Sequence, residues 1–148
     1  MMRPVVLGAV AALSSVGLSQ QVLADGAQLF EDNCAICHNA GGTGTPGLAP
    51  ALDRPEFWQA LGDDAGAYVS TVVTKGFNMP ITVRGERYAG MPMIPVTGVS
   101  DDDLALISTW VLAELGGLDQ TVSADDIATA RGGALSNADL KALRPESE

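Results

Sequence analysis

Histidine occurs once in this sequence and cysteine twice, too few ligands for a four-coordinate structural zinc site. The two cysteines, Cys34 and Cys37, also do not make a disulfide scaffold. A bridge between residues three apart is strained and closes almost no loop. Basic residues are scarce as well: 8 Lys and Arg stand against 18 Asp and Glu, for a net charge of −10. That sign disfavours nucleic-acid binding. Long apolar runs are missing except at the start, where Arg3 precedes the apolar stretch Pro4 to Leu18 and Val22-Leu23-Ala24 follows. The run is short for a membrane span and has no charged far flank, so residues 1–24 read as an export signal cleaved after Ala24. Residue 25 is Asp rather than Cys, which excludes lipid anchoring there. The expected location is the periplasm, with no stable membrane anchor. Cleavage removes Arg3 and no acidic residue, making the mature chain one unit more negative.

The scarce residues are concentrated. Cys34-Ala35-Ile36-Cys37-His38 is a C-x-x-C-H string holding every thiol and the sole imidazole, the pattern of covalent haem attachment. Two sulfurs three residues apart share one side of a helical turn and suit two neighbouring vinyl groups. The histidine that follows is carried under the iron as proximal ligand. A thioredoxin-like C-x-x-C would follow a strand in a βαβ pattern, which this sequence does not show. Two Trp, two Tyr and three Phe are few aromatics for a core, as suits a chain whose centre is filled by one covalently bound haem c.

The remaining pattern is helical. Asp25 to Ile36 reads as a first helix capped by Asp25, with Gly26, Leu29 and Phe30 on one face and Gly26 open to a close crossing. Asn39 to Pro50 is a loop rich in Gly, Thr and Pro. A short helix opens at Arg54-Pro55 with Asp53 as its cap. Another starts at Asp63 or Asp64 and runs to Lys75, with Gly76 after it and a stripe of Tyr68, Val69, Val72 and Val73. Phe77 to Val99 is irregular, with a turn at Arg84-Gly85-Glu86. Ser100 caps the clearest helix, whose Leu104, Ile107, Trp110, Val111 and Leu115 recur at helical spacing before Gly116-Gly117. The organisation is an export signal (1–24), a domain (25–117) and an acidic C-terminal extension (118–148) with helical pieces beginning near Ser123 and Asn137. The fold class is all-α.

One histidine leaves the iron's sixth position to a methionine or open. Met79, Met91 and Met93 all fall in the irregular segment, and a soft thioether suits iron that changes oxidation state. Met91 is the first choice, with Met93 the runner-up.

Several stretches resemble the class I monohaem c-type cytochromes, the bacterial periplasmic cytochrome c family. Gly26-x3-Phe30-x3-Cys34-x2-Cys37-His38 is similar to the family's first helix and haem motif. Gly47-Leu48-Ala49-Pro50-Ala51-Leu52 is similar to its G-x-x-P-x-L loop. Tyr88-Ala89-Gly90-Met91-Pro92 resembles its Y-x-G-x-M-P ligand motif, one residue short between Gly and Met, which keeps Met93 in contention. The Ser100 helix with Trp110 resembles its last helix. The resemblance covers about residues 26–116. It implies a class I cytochrome c fold wrapped around the haem and a crossing of Gly26, Phe30 and Trp110. It also implies that the Pro50 carbonyl accepts a hydrogen bond from the other nitrogen of His38.

The function these readings imply is one-electron carriage on a low-spin His/Met haem. The carrier would run between a periplasmic dehydrogenase or respiratory complex and an acceptor oxidase or cytochrome. The acidic surface either steers the protein to a basic docking face on those partners or only solvates it. A permanent cytochrome subunit of a dehydrogenase is a variant of the same reading. The main alternative is a haem-based ligand-binding or sensor protein with an open or labile sixth site. Catalysis is not expected, since no acid–base pair with a second histidine exists. Arg54, Trp58, Arg84 and Arg87 are candidates to reach the haem propionates, and none is assigned.

Overall fold

The computed structural model describes residues 16–133 and 135–145. Seven α-helices and one small hairpin appear among them. The helices are α1 (Val16–Asn33), α2 (Ala35–His38), α3 (Pro55–Leu61), α4 (Ala65–Lys75), α5 (Asp101–Trp110), α6 (Ala124–Gly132) and α7 (Asn137–Leu143). The hairpin strands are β1 (Ile81–Val83) and β2 (Glu86–Tyr88), paired antiparallel with Ile81 opposite Tyr88. Among the described residues no helix is long and apolar enough to cross a membrane.

The core begins where α1 and α5 cross. A Cβ on Gly26 would sit 2.6 Å from the Leu106 carbonyl oxygen and 2.8 Å from Trp110 Cβ, so only glycine allows this approach. One turn further on, the Phe30 and Trp110 rings pack with centroids 4.7 Å apart. The expected crossing of Gly26, Phe30 and Trp110 is present. Leu104 and Ile107 continue the buried stripe of α5, joined from α3 and α4 by Phe57, Trp58, Tyr68 and Val69.

Helix boundaries follow local chemistry, with three departures from expectation. Asp25 does not cap the first helix. α1 runs through it from Val16, and Asp25 Oδ1 accepts from Gln21 Nε2 at 3.0 Å. Ser19 to Ala24 contain no helix breaker, so backbone bonding continues across the expected cleavage point. Residues 1–15 of the expected signal lie outside the described residues. The first helix also stops at Asn33 instead of Ile36, and the chain restarts as α2 after Cys34. Nor does Asp53 cap α3: the N-cap is Arg54, and Asp53 instead binds Arg84 through Oδ1 at 3.0 Å and through its carbonyl at 2.7 Å.

Elsewhere the signals hold. Pro55 lies at the start of α3, and Gly76 ends α4 at φ 77°. Ser100 caps α5 by accepting from the Asp103 amide, and α5 runs on into a π turn over Val111–Leu115. The segment read as irregular between Phe77 and Val99 contains the hairpin. Its two-residue turn, Arg84-Gly85, has positive φ at both positions (51° and 82°), the twist that closes tight hairpins.

The C-terminal segment packs on the rest of the chain. Ser123 and Ser136 open α6 and α7 with complete capping boxes to Asp126 and Asp139. Ile127 and Leu140, at 0% and 1% exposure, belong to the same buried core as Phe30 and Trp110. Thr109 Oγ1 accepts from the Val122 amide at 3.0 Å, which ties the segment to α5.

Candidate functional site

The C-x-x-C-H string occupies the break between α1 and α2. Cys34 N–H still bonds the Phe30 carbonyl at 2.8 Å, while Cys37 and His38 amides turn back to the Cys34 carbonyl at 3.1 and 3.0 Å. That tight turn carries both thiols and the imidazole on one small unit. Burial, and then the neighbouring Cys37, push the Cys34 thiol up to about 11, so it is a neutral thiol at physiological pH.

The loop after His38 is knitted to the same unit. Gly44 N–H bonds the His38 carbonyl at 2.7 Å, Asn39 Nδ2 bonds the Gly44 carbonyl at 2.7 Å, and Thr45 Oγ1 bonds the Cys37 carbonyl at 2.7 Å. Gly44, at φ 84°, is pressed so closely that a Cβ would lie 2.5 Å from the Ala51 nitrogen. Further along, Leu52 N–H bonds the Gly42 carbonyl and Trp58 Nε1 donates to the Leu52 carbonyl, each at 2.7 Å. The loop is thereby held against α3 and the Pro50 carbonyl is aimed at His38. His38 Nδ1 lies 2.9 Å from that oxygen. A carbonyl only accepts, so Nδ1 carries the proton and Nε2 keeps its lone pair. Burial lowers the His38 pKa, which favours the neutral ring a metal ligand requires.

These groups form one wall of a cavity of about 550 Å³, within the range of roughly 300–1,000 Å³ usual for cofactor pockets. Most of the lining is apolar, including Leu52, Val69, Val73, Phe77, Ile107 and Val111. Cys34, Cys37, His38, Pro50, Met79, Met91 and Met93 all border it, so the structure brings the expected site residues together. The methionines differ in their commitments. Met79 and Met93 pack against the core, and Met93 exchanges both backbone hydrogen bonds with Phe77 at 2.9 Å. Met91 has 65% of its surface exposed. A large apolar cavity with two thiols and a neutral imidazole on one side and thioethers bordering it fits a covalently bound haem.

Of the four residues considered for the propionates, Arg54 and Trp58 line the cavity, while Arg84, paired with Asp53, and Arg87 do not. Arg144 also lines the cavity, and sequence reasoning missed it. It donates to Tyr68, 76 residues away in the sequence, and no local pattern marks such a contact.

Among the described residues no group of three or more His, Cys, Asp or Glu gathers into a separate metal site. Residues 23–113 match the family profile of Cytochrome c. No curated protein matches the chain. The match spans the α1–α5 crossing, the C-x-x-C-H unit, the loop bearing Pro50 and the methionine segment. With an all-α fold of class I type around a cavity of this chemistry, the chain belongs to the cytochrome c family of electron-transfer proteins, carrying one covalently bound haem c.

Proposed function

We propose that this protein is a periplasmic one-electron carrier, exported with a signal cleaved after Ala24. It shuttles electrons between a periplasmic dehydrogenase or respiratory complex and a terminal acceptor. Cys34 and Cys37 hold the haem through thioethers, His38 is the proximal iron ligand, and Met91 is the sixth ligand, with Met93 the alternative donor. The observation that carries this reading is the 2.9 Å contact of His38 Nδ1 with the Pro50 carbonyl at the wall of an apolar cavity.

The haem supplies the one-electron couple, and the chain tunes it. The Pro50 carbonyl fixes the tautomer and plane of His38, leaving Nε2 to face the iron and raising its basicity. Cavity walls of Val, Leu, Ile and Phe exclude water and lower the local dielectric. Between the candidate sixth ligands, Met93 has its backbone paired with Phe77 and its side chain packed against the core, whereas Met91 is exposed at the border of the cavity. A thioether there favours the ferrous state and raises the potential.

Ile36 and Ile94, at 86% and 76% exposure, border the same cavity as Met91. Such an apolar rim on an acidic chain suits brief docking to a basic partner face, with a small interface that releases quickly.

The test is the ferrous absorption spectrum before and after carbon monoxide. A low-spin spectrum that does not move means a strong sixth ligand, and Met91→Ala, unlike Met93→Ala, then opens the site to carbon monoxide. Rapid binding to the unmodified protein would replace the shuttle with a ligand-binding role.

A further inference from the structure

We propose that Arg144, in the C-terminal segment, is a haem-binding residue that acts with Arg54 to hold the haem propionate carboxylates. The segment beyond the family match would then complete the cofactor site. This rests on the haem lying in the cavity that His38 borders.

The placement begins with α7. Leu140 buries that helix in the core at 1% exposure, and the chain leaves helical geometry at Arg144, with φ −67° and ψ 135°. The Arg144 side chain lines the cavity. Its Nη1 donates to Tyr68 Oη at 2.7 Å, and its guanidinium carbon lies 4.9 Å from the Phe57 ring centroid and 5.5 Å from that of Phe77. Arg54 reaches the same place from the other end of the chain. It is buried, its Nε donates to the Ala51 carbonyl at 2.8 Å, and its guanidinium carbon lies 4.2 Å from the Phe57 centroid.

Two guanidiniums therefore share one aromatic ring in a cavity wall, in a chain with only 8 basic residues. Aromatic faces and a phenol hydroxyl pre-set the plane of a guanidinium, which is the geometry for gripping a carboxylate through paired N–H groups. A carboxylate accepts from guanidinium N–H groups through charge-assisted hydrogen bonds, which a neutral apolar edge cannot do. The haem is the planar anionic group this cavity is built to take, and its two carboxylates share one edge. Arg131 provides the contrast within the same segment, because it lies beside Asp101 on the surface and does not line the cavity.

The experiment uses the full haem-loaded protein, with Arg144→Gln, Arg144→Lys and, as control, Arg131→Gln. The readouts are the propionate carboxylate bands in redox-difference infrared spectra and the midpoint potential. Expected for Arg144→Gln is a shift of the carboxylate bands and a fall in potential, since a cation beside the haem favours the reduced state. Arg144→Lys should keep the potential near the parent value yet still move the bands, because a point charge replaces a two-pronged grip. Arg131→Gln should change neither. Unmoved carboxylate bands in haem-loaded Arg144→Gln would overturn the proposal, even if stability fell, because Arg144 would then only clamp Tyr68. If Arg144→Gln does not fold, the bands of Arg144→Lys decide in the same way. A parent protein without covalent haem would instead overturn the reading of the cavity itself.

Discussion

Two largely non-helical stretches, 39–54 and 77–99, border the same cavity, and they are fastened by opposite means. The first is tied at close intervals to the C-x-x-C-H unit and α3 through Gly44, Asn39, Thr45, Leu52 and Trp58. The second is closed on itself by its hairpin and the Phe77–Met93 pair, and its polar ties outward are the bond of Val96 N–H to the Val73 carbonyl and the Arg84–Asp53 contact. Met91, in the middle of it, stands exposed. The histidine side is thus closely tied, while the methionine side leaves Met91 exposed. Under the proposed ligation, His38 would come from the closely tied stretch and the methionine from the stretch with fewer ties.

Breaking the tight side should cost most. Gly44→Ala puts a Cβ against the Ala51 backbone at a positive φ, and stability should fall by about 3 kcal/mol, as strain and overpacking combine. Urea denaturation of the haem-loaded protein measures it, and a loss below about 0.5 kcal/mol would mean that the loop is not held as described. Thr45→Val removes one hydrogen bond from the same loop and should cost about 1 kcal/mol. On the looser side, Arg84→Ala breaks an exposed contact to Asp53 and should cost less, about 0.5 kcal/mol. If Arg84→Ala proved costlier than Thr45→Val, the contrast between the two stretches would be reversed.

The smallest effect is a pH dependence remote from both. Hydrogen bonds from the Ser123 side chain and then its amide hold the Asp126 carboxyl below its ordinary value, and Ser136 does the same for Asp139. A depressed folded pKa contributes stability that is present above the ordinary carboxylate range and is lost as the pH falls through the folded value. Thermal melts should therefore decline more gently with acid in an Asp126→Asn, Asp139→Asn double variant than in the parent. Equal declines would show that the capping boxes do not form in solution.

Much of this was readable from residues alone where the information is local. The spacing of Cys34, Cys37 and His38, the serine caps at 100 and 123, Gly76 as a helix stop and the stripe on α5 each act within a turn or two of chain. The Asp25 and Asp53 caps failed because a cap depends on competitors. Helix-compatible residues precede Asp25, and Arg84, far along the chain, claims Asp53. The hairpin went unread because three-residue strands are too short to show an alternating pattern, although its turn was visible at Arg84-Gly85.

The sequence by itself determined the attachment motif, the helical class, the acidic charge and the three methionines available for a sixth ligand. Family resemblance added Pro50 as the partner of His38, and the geometry agrees. Tertiary structure alone decided that Met93 pairs with Phe77 while Met91 stands exposed, and that Arg144 meets Tyr68 and shares the Phe57 ring with Arg54. The reason is physical. Caps and helical stripes are written in neighbouring residues, whereas a cavity wall is assembled from side chains that only the burial of a common core brings together.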